Sequence, residues 1–530
     1  MSKHGRTVFF GVMAILAVVI VVLATPPRTY AIPAFSRLYG TSCSTCHLDF
    51  PKLNDFGKAF KDAGFKFPTD DESMLKVPPV LLGAPANKEL WPHTIWPGTI
   101  PGMPPIGLRM NNYFQVVGAN RGNFTGGGVT PPGVGFVPRT DFETGFFSIF
   151  TAGNFGSDIA FWVDDDISVA GANGNGGLGD GYLRFVNIGR FAHLPKDALT
   201  FRVGQFELDL PFTQARSYNI TPYDIYTEAN IGAMNALFPQ QNVNNTFALA
   251  DAVQGVEVSG GHQYGGYHYS VAIVNQNTGG PIDAGTNVPT ATGGNSGGLG
   301  FFSDSNFKDI YGRFSYRFNL EHNAESRHSI QAAGPTGPRD HTYLRLGIYD
   351  FYGRSVQRFT GTSATITARE PFYRLGGDFD FGYHGVFNLY GLYMYGHDLN
   401  LLPVDGAGAI LPLPLQPGLA VGFRNGVPAT FSGGFMQADY MVYPWMMLIM
   451  RWDSVHSTAD LLNGVTNFPF PFNTTRNRLT PGAQFLIHAN IKASFEYQIR
   501  PQQSVTLGSN GLPIQAFRTN AATAGLEFVY

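Results

Sequence analysis

The chain has 530 residues, a formal net charge of −3, 14% charged residues, 14% aromatic residues and 65 glycines. Its length exceeds one ordinary soluble domain, and so balanced a charge gives no case for nucleic-acid binding. Mean hydropathy close to zero, with abundant Tyr, Phe and Gly, suits a transmembrane β-barrel, in which apolar outward residues alternate with polar inward ones.

Lys3, His4 and Arg6 open the chain with positive charge, and Val8 to Ala24 then run 17 residues without any. Thr29-Tyr30-Ala31 supplies a small-x-small cleavage site. The pattern predicts a secretory signal peptide over 1–31 and a mature chain from Ile32. An uncleaved anchor is the alternative, but the apolar run is short for a span. Beyond residue 24 no stretch is long and apolar enough for a membrane helix.

The only two cysteines of the chain lie in Cys43-Ser44-Thr45-Cys46-His47. This is C-x-x-C-H, the attachment motif of a c-type haem. Two thiols three positions apart on one helical turn can each form a thioether to a haem vinyl group, and His47 is then placed to ligate the iron. A disulfide would close a very short loop for little gain and leave His47 without a purpose. A zinc site would need two more ligands, and no further Cys exists. The motif therefore predicts one covalent haem c held by Cys43, Cys46 and His47.

Phe50, Leu53, Phe56 and Phe60 recur at helical spacing, predicting a helix from Pro51 towards a stop at Gly64. The small helical cytochrome segment then covers 32–67, too little chain to bury a large core without its haem. Residues 68–105 carry Pro78-Pro79, Pro92, Pro97, Pro101 and Pro104-Pro105, which exclude regular structure and predict a connector or plug. Met74, His93 and Met103 lie in this stretch as candidate distal ligands of the iron, with Met74 first because it follows the helix most closely. A ligand from the barrel wall and an open position are the other choices.

Residues 106–530 read as a mainly β region of about 16 short alternating runs, an even number as expected of a bacterial barrel. Ile491 to Arg500 is the clearest, with apolar residues at odd positions and polar ones at even positions. Tight links alternate with long Gly/Pro/Asn-rich ones such as 211–248, 276–307 and 354–370, as periplasmic turns alternate with extracellular loops. This parity puts both ends of the barrel on the periplasmic side. The predicted inward face carries Arg313, Arg317, Arg374, Lys492 and Arg500 against Asp378, Asp380 and Glu496, which reads as a water-lined, salt-bridged wall. Asp164 and Asp166 share that face near the predicted extracellular end, as a solvated rim or a weak cation site.

Pro33-Ala34-Phe35-Ser36-Arg37, then the C-x-x-C-H motif, then Phe50-Pro51-Lys52-Leu53-Asn54-Asp55-Phe56-Gly57-Lys58-Ala59-Phe60, resembles the N-terminal cytochrome of fused monohaem cytochrome–porin proteins. That group includes the outer-membrane iron oxidases of iron-oxidising bacteria. The resemblance in sequence covers about 35 residues. It implies haem attachment at Cys43 and Cys46, axial ligation by His47 and electron passage across the outer membrane. The expected function is an electron conduit between an extracellular donor or acceptor, Fe2+ being one donor, and a periplasmic cytochrome or cupredoxin. The alternatives are a diffusion porin with a haem-bearing plug and a secreted soluble cytochrome. No hydrolase triad, P-loop or Rossmann fingerprint is present.

Overall fold

The computed structural model describes residues 34–49, 51–67, 71, 75–91, 98–102, 106–117, 139–156, 158–167, 177–195, 197–213, 217–227, 252–275, 308–320, 342–360, 365–399, 401–409, 422–425, 428–457, 476–499 and 520–530. The predicted signal peptide lies outside them. Helix α1 (Ala34–Tyr39) leads into a 3-10 turn (Cys43–Thr45), a hairpin of β1 (His47–Asp49) and β2 (Lys52–Leu53), and helix α2 (Asp55–Asp62). The connector holds β3 (Val80–Leu81), α3 (Pro85–Leu90) and β4 (Thr99–Ile100).

The barrel strands begin with β5 (Ile106–Val117), β6 (Arg139–Phe155), β7 (Ile159–Ile167), β8 (Gly177–Phe185) and β9 (Thr200–Glu207). After helix α4 (Asp224–Thr227) come β10 (Ala252–Gly261), β11 (Gly266–Val274), β12 (Asp309–Asn319), β13 (Tyr343–Thr360), β14 (Thr365–Tyr383) and β15 (Phe387–Asp398). A small hairpin of β16 (Leu401–Val404) and β17 (Gly422–Asn425) stands apart. The wall resumes with β18 (Ala429–Tyr443), β19 (Met446–Ser457), β20 (Arg476–His488), β21 (Ile491–Gln498) and β22 (Ala521–Val529).

Sixteen of these strands, β5–β15 and β18–β22, close into one antiparallel barrel through the pairing of β22 with β5. The expected strand number is therefore what the chain forms. Both barrel ends meet at one rim, where Leu108 and Tyr530 exchange backbone hydrogen bonds. No described helix is long and apolar enough to cross a membrane.

The period-two alternation sorts each strand into two faces. On β12, Asp309, Tyr311, Arg313, Ser315 and Arg317 are buried inward while Ile310, Phe314, Tyr316 and Phe318 are exposed outward. Leu346, Ile348, Leu375, Tyr393, Leu448, Met450, Phe495 and Leu526 extend that outward apolar surface around the wall. Exposed Tyr383, Tyr443, Trp445 and Tyr530 gather at the short-turn rim, as an interfacial aromatic girdle would.

Three expectations change. The helix predicted from Pro51 starts at Asp55, because Asn54 caps it and residues 52–53 pair with β1 instead. The Pro-rich connector is not free of regular structure: Pro85 opens α3, where a missing N–H costs nothing, and β3 pairs with β4. The long link expected over 354–370 is mostly strand, since β13 and β14 stay paired up to Thr360 and Thr365. Val356, Phe359, Thr365 and Ile366 are strand formers, and nothing in an antiparallel ladder stops it where the apolar belt ends.

Ile348 is 65% exposed on the outer face in mid-strand. Ile348→Arg is expected to cost about 2–4 kcal/mol of folding free energy in a bilayer, as charged residues do on a lipid-facing surface. Urea titration of the protein in vesicles, read by heat-modifiable gel migration, measures it.

Candidate functional site: the cysteine turn inside the barrel mouth

The two cysteines sit on one 3-10 turn closed by Cys46 N–H donating to the Cys43 carbonyl at 3.1 Å. Both are free thiols, half-buried. Burial raises both thiol pKa values, that of Cys46 to about 12. Asn54 holds the turn from outside. Its side-chain amide donates to the carbonyls of Ser44 (3.2 Å) and Thr45 (3.0 Å), and its backbone N–H donates to the Cys46 carbonyl at 2.9 Å. The same side chain accepts from Gly57 N–H at 2.8 Å, so one residue caps α2 and clamps the motif. Gly57 packs on the Cys46 carbonyl so closely that any Cβ would collide with it.

His47 follows as the first residue of β1. Burial lowers its pKa to about 4, against the opposing effect of hydrogen bonds with the backbone of Pro51 and Lys52. The imidazole is thus neutral at neutral pH, the form that ligates iron. Hydrogen bonds with the Pro51 and Lys52 backbone fix the orientation of the ring. Two free thiols on one turn and a neutral, backbone-oriented imidazole next to them fit a covalent haem c.

An aromatic core carries the turn. Phe35, Tyr39, Phe56, Phe60, Phe65 and Phe67 interlock, with Tyr39 and Phe67 4.5 Å apart and Phe35 and Phe60 5.1 Å apart between ring centroids. Cys46 packs against the same cluster. Helix α2 ends in a Schellman motif, Phe65 N–H reaching the Phe60 carbonyl and Gly64 N–H that of Lys61. Gly64 has φ +81°, and a Cβ there would press on Val186 and Ala160 of the barrel. Phe65 lies 5.6 Å from Trp162 of β7.

These contacts set the segment inside the short-turn end of the barrel. The strongest is ionic. Asp55, at the start of α2, takes a bidentate pair of hydrogen bonds from Arg317 of β12 at 2.5 and 2.7 Å. Lys58 donates to the same carboxylate at 3.0 Å, and Arg317 stacks 3.7 Å over the Tyr343 ring. Lys52 bonds Asn388 of β15 and lies 4.7 Å over Tyr390. Arg184 of β8 donates to the Lys61 carbonyl at 2.8 Å.

A second inward element crosses the lumen above the plug. Residues 208–213 and 217–227 follow β9 and lie inside the wall. Asp209 pairs with His268 of β11 at 2.9 Å, and Tyr311 of β12 donates to its carbonyl at 2.8 Å. Glu496 of β21 accepts from Ile220 N–H, Thr221 N–H and the Thr221 hydroxyl at 2.6–3.1 Å. Arg478 of β20 pairs with Asp224 at 3.0 Å, and Arg451 of β19 donates to the Thr221 carbonyl at 2.9 Å. Tyr223 stacks on Phe435 at 3.9 Å. Strand β19 stands eight strands from β9 in either direction around the ring of 16, so this strap spans a diameter.

The water-lined wall expected from the sequence is therefore a covered one. Arg313, Arg317, Arg374, Lys492, Asp378, Asp380 and Glu496 are inward as predicted, but all are buried. Arg313 pairs with Asp378 at 2.8 Å, and Lys492 with Glu527 at 3.0 Å. Plug and strap take the place of water. Asp164 accepts from the backbone N–H of Asp180, and among the described residues no cluster of three His, Cys, Asp or Glu could hold a metal ion. Arg500, the side chain of Asp166, and the distal-ligand candidates Met74, His93 and Met103 lie outside the described residues.

No protein-family model matches the chain, and no curated protein matches it. Among solved structures it is similar to the outer membrane channel DcaP of Acinetobacter baumannii (10% identity, TM-score 0.43, 80% of this chain and 96% of that one). It is also similar to an anion-selective porin from Comamonas acidovorans (12%, TM-score 0.41, 80% and 98%). A third is OmpT of Vibrio cholerae (8%, TM-score 0.41, 85% and 99%).

Sequence reasoning passed over Asn54, Gly57 and the partnership of Asp55 with Arg317. The cap pattern Asn54-Asp55 before an amphipathic run was available, but a pair 262 residues apart carries no local signal. Asn54→Ala is expected to loosen the turn by about 1 kcal/mol, the usual worth of an N-cap. Faster proteolysis between Tyr39 and Lys61 in the folded barrel measures this. Arg317→Ala leaves Asp55 buried with less compensation and is expected to cost roughly 3–5 kcal/mol, whereas the double change to Leu at both sites costs less. Burial would raise the Asp55 pKa, but Lys58 and Arg317 outweigh it and hold it below the usual carboxylate range. The docking energy linked to Asp55 is thus full above about pH 4, the unfolded carboxylate value, and fades as pH falls through the depressed folded value. Proteolysis of the plug across pH, compared with Asp55→Asn, which removes that dependence, reads the effect.

Proposed function

We propose that this chain is an outer-membrane electron-transfer protein of the fused monohaem cytochrome–porin kind, carrying one haem c on Cys43, Cys46 and His47. The observation that carries the reading is the seat of the C-x-x-C-H turn, clamped by Asn54 and keyed through Asp55 to Arg317 inside the barrel mouth. The outward apolar surface with its aromatic rim supports a bilayer location, and barrels of this kind occur in bacterial outer membranes.

The bound haem iron would take up and release one electron in turn, at a potential set by its axial ligands and surroundings. The residues of the chain do the rest. Cys43 and Cys46 tether the group, so it cannot leave an aqueous site. The neutral His47 ring, oriented by the Pro51–Lys52 backbone, offers a nitrogen to the iron. The Asp55–Arg317 pair keeps the segment at the short-turn end, the periplasmic end if the usual loop parity holds, within reach of a periplasmic cytochrome or cupredoxin. An external donor such as Fe2+, becoming Fe3+ as it gives up one electron, serves the opposite side.

The second reading is a diffusion porin with a haem-bearing plug, favoured by the polar inward face of a barrel of 16 strands. The strap and the plug weigh against it, because the inward charges are paired with protein rather than with water.

Purified protein in sealed liposomes, with a periplasmic-type acceptor trapped inside, separates the two. The expected result is haem reduction by external Fe2+ followed by reduction of the trapped acceptor, with low permeability to small sugars. Free solute leakage without electron delivery would establish the porin instead. The Cys43→Ala/Cys46→Ala pair is expected to lose all haem that survives a denaturing gel.

A further inference from the structure

The connector between plug and wall reaches the outer side of the barrel. Ala152 joins the plug core, so its neighbour Gly153 faces outward. A Cβ on Gly153 would meet Pro101 at 3.1 Å, which sets Pro101 against the outer surface of β6. Gly156 N–H, in the β6–β7 turn, donates to the Thr99 carbonyl at 3.2 Å. Strand β4 pairs with β3, Val80 opposite Ile100, and α3 follows β3 after residues 82–84. The described part of the connector is thereby fixed at the short-turn rim, on the side of the wall that faces lipid.

This part exposes side chains that a loop in water would hide. Val80, Leu82, Leu90 and Trp91 are all exposed, Leu90 by 68%. The β8–β9 link adds Phe191, 70% exposed, and Leu194. It belongs to the same sector, because its Arg190 pairs with Asp158 of the β6–β7 turn at 2.7 Å. Lone exposed apolar side chains are ordinary, but six in one sector of a rim form a patch that calls for a partner. Elsewhere on that rim the interfacial aromatics come from the barrel's own strands and turns, as Tyr383, Tyr443, Trp445 and Tyr530. The β6–β7 turn, Gly156-Ser157-Asp158, has none to offer. A Trp at a bilayer boundary keeps its ring among acyl chains and its N–H among headgroups.

We propose that the β3–β4 unit, α3 and the β8–β9 link form a lipid-binding anchor that lies in the headgroup–acyl boundary at the short-turn end of the barrel. The ligand is phospholipid, held through buried apolar area rather than through a headgroup-specific pocket. Continuity argues for lipid over a soluble protein. The patch begins where the outward apolar face of β6 and β7 ends, a face that carries Ile149, Val163 and the stacked rings of Phe155 and Phe161. A soluble partner of the plug would approach the inner side of the wall instead. The anchor holds the connector beside the barrel, away from the mouth in which the plug sits. The inference rests on the bilayer location of the barrel and not on the haem reading.

The test uses the full-length protein in phosphatidylcholine nanodiscs, which leave both faces of the bilayer open. Benzoylphenylalanine, a photo-crosslinking aromatic residue, replaces Leu82, Trp91 or Phe191 one at a time. The outward Ile348 serves as the lipid-facing reference, and Ala407, exposed in the link between β16 and β17, as the water-facing one. Heat-modifiable migration checks that each variant folds, and mass spectrometry after irradiation reads the adducts. Lipid adducts are expected at all three positions, at yields comparable to Ile348 and about tenfold above Ala407, as for side chains seated in the interface. Yields at the Ala407 level, with Ile348 still labelled by lipid, overturn the proposal. So does crosslinking of the three positions to a protein in intact outer membranes in place of lipid. Absence of lipid adducts from Ile348 in the folded barrel overturns the bilayer location, and this inference with it.

Discussion

The bidentate pair between Asp55 and Arg317 is the constraint on which the arrangement depends. Both groups are nearly inaccessible to solvent, and each would be costly to bury alone. The pair is therefore not a source of large net stability. Its effect is positional: a carboxylate in the first turn of a short helix finds its compensating cations only when that helix lies against β12. Lys58 and the Tyr343 ring complete the cluster and narrow the choice further. Everything attached to the helix, including the Asn54 clamp and the cysteine turn, takes its place from this contact.

The strap obeys the same logic at the opposite wall. Glu496 accepts three hydrogen bonds from two consecutive residues, and Arg451 and Arg478 reach its carbonyls and Asp224. In an open water-filled channel such inward charges would be solvated. Here they are spent on holding a chain segment across the lumen. The barrel thus has a packed interior of two layers, plug and strap, which touch where Lys52 meets the ring of Tyr218.

The seat of the cysteine turn shows how short a segment can be placed when a larger fold supplies the rest. A segment of some 34 residues (34–67) has too little apolar surface to fold securely by itself. It gains stability by sharing a core with Ala152, Ala160 and Trp162 of the wall. The glycines at 57 and 64 permit this sharing, one against the motif's backbone and the other against β7 and the residue after β8.

The order of residues alone determined the barrel, because alternation of apolar and polar residues is a local property and each run carries its own period of two. It also determined the C-x-x-C-H motif, which needs only five consecutive residues, and the stop of α2 at Gly64, since a positive φ favours glycine. The start of α2 was misplaced because Phe50 and Leu53 continue the helical spacing that the Asn54 cap cuts short. The tertiary structure alone decided what fills the lumen. The strap begins as an unremarkable long link after β9, and its inward fold follows from partners on β11, β12 and β18–β21, from 59 to 276 residues away. Whether Arg313, Arg317 and Glu496 face water or protein depends on those partners, which no local pattern records.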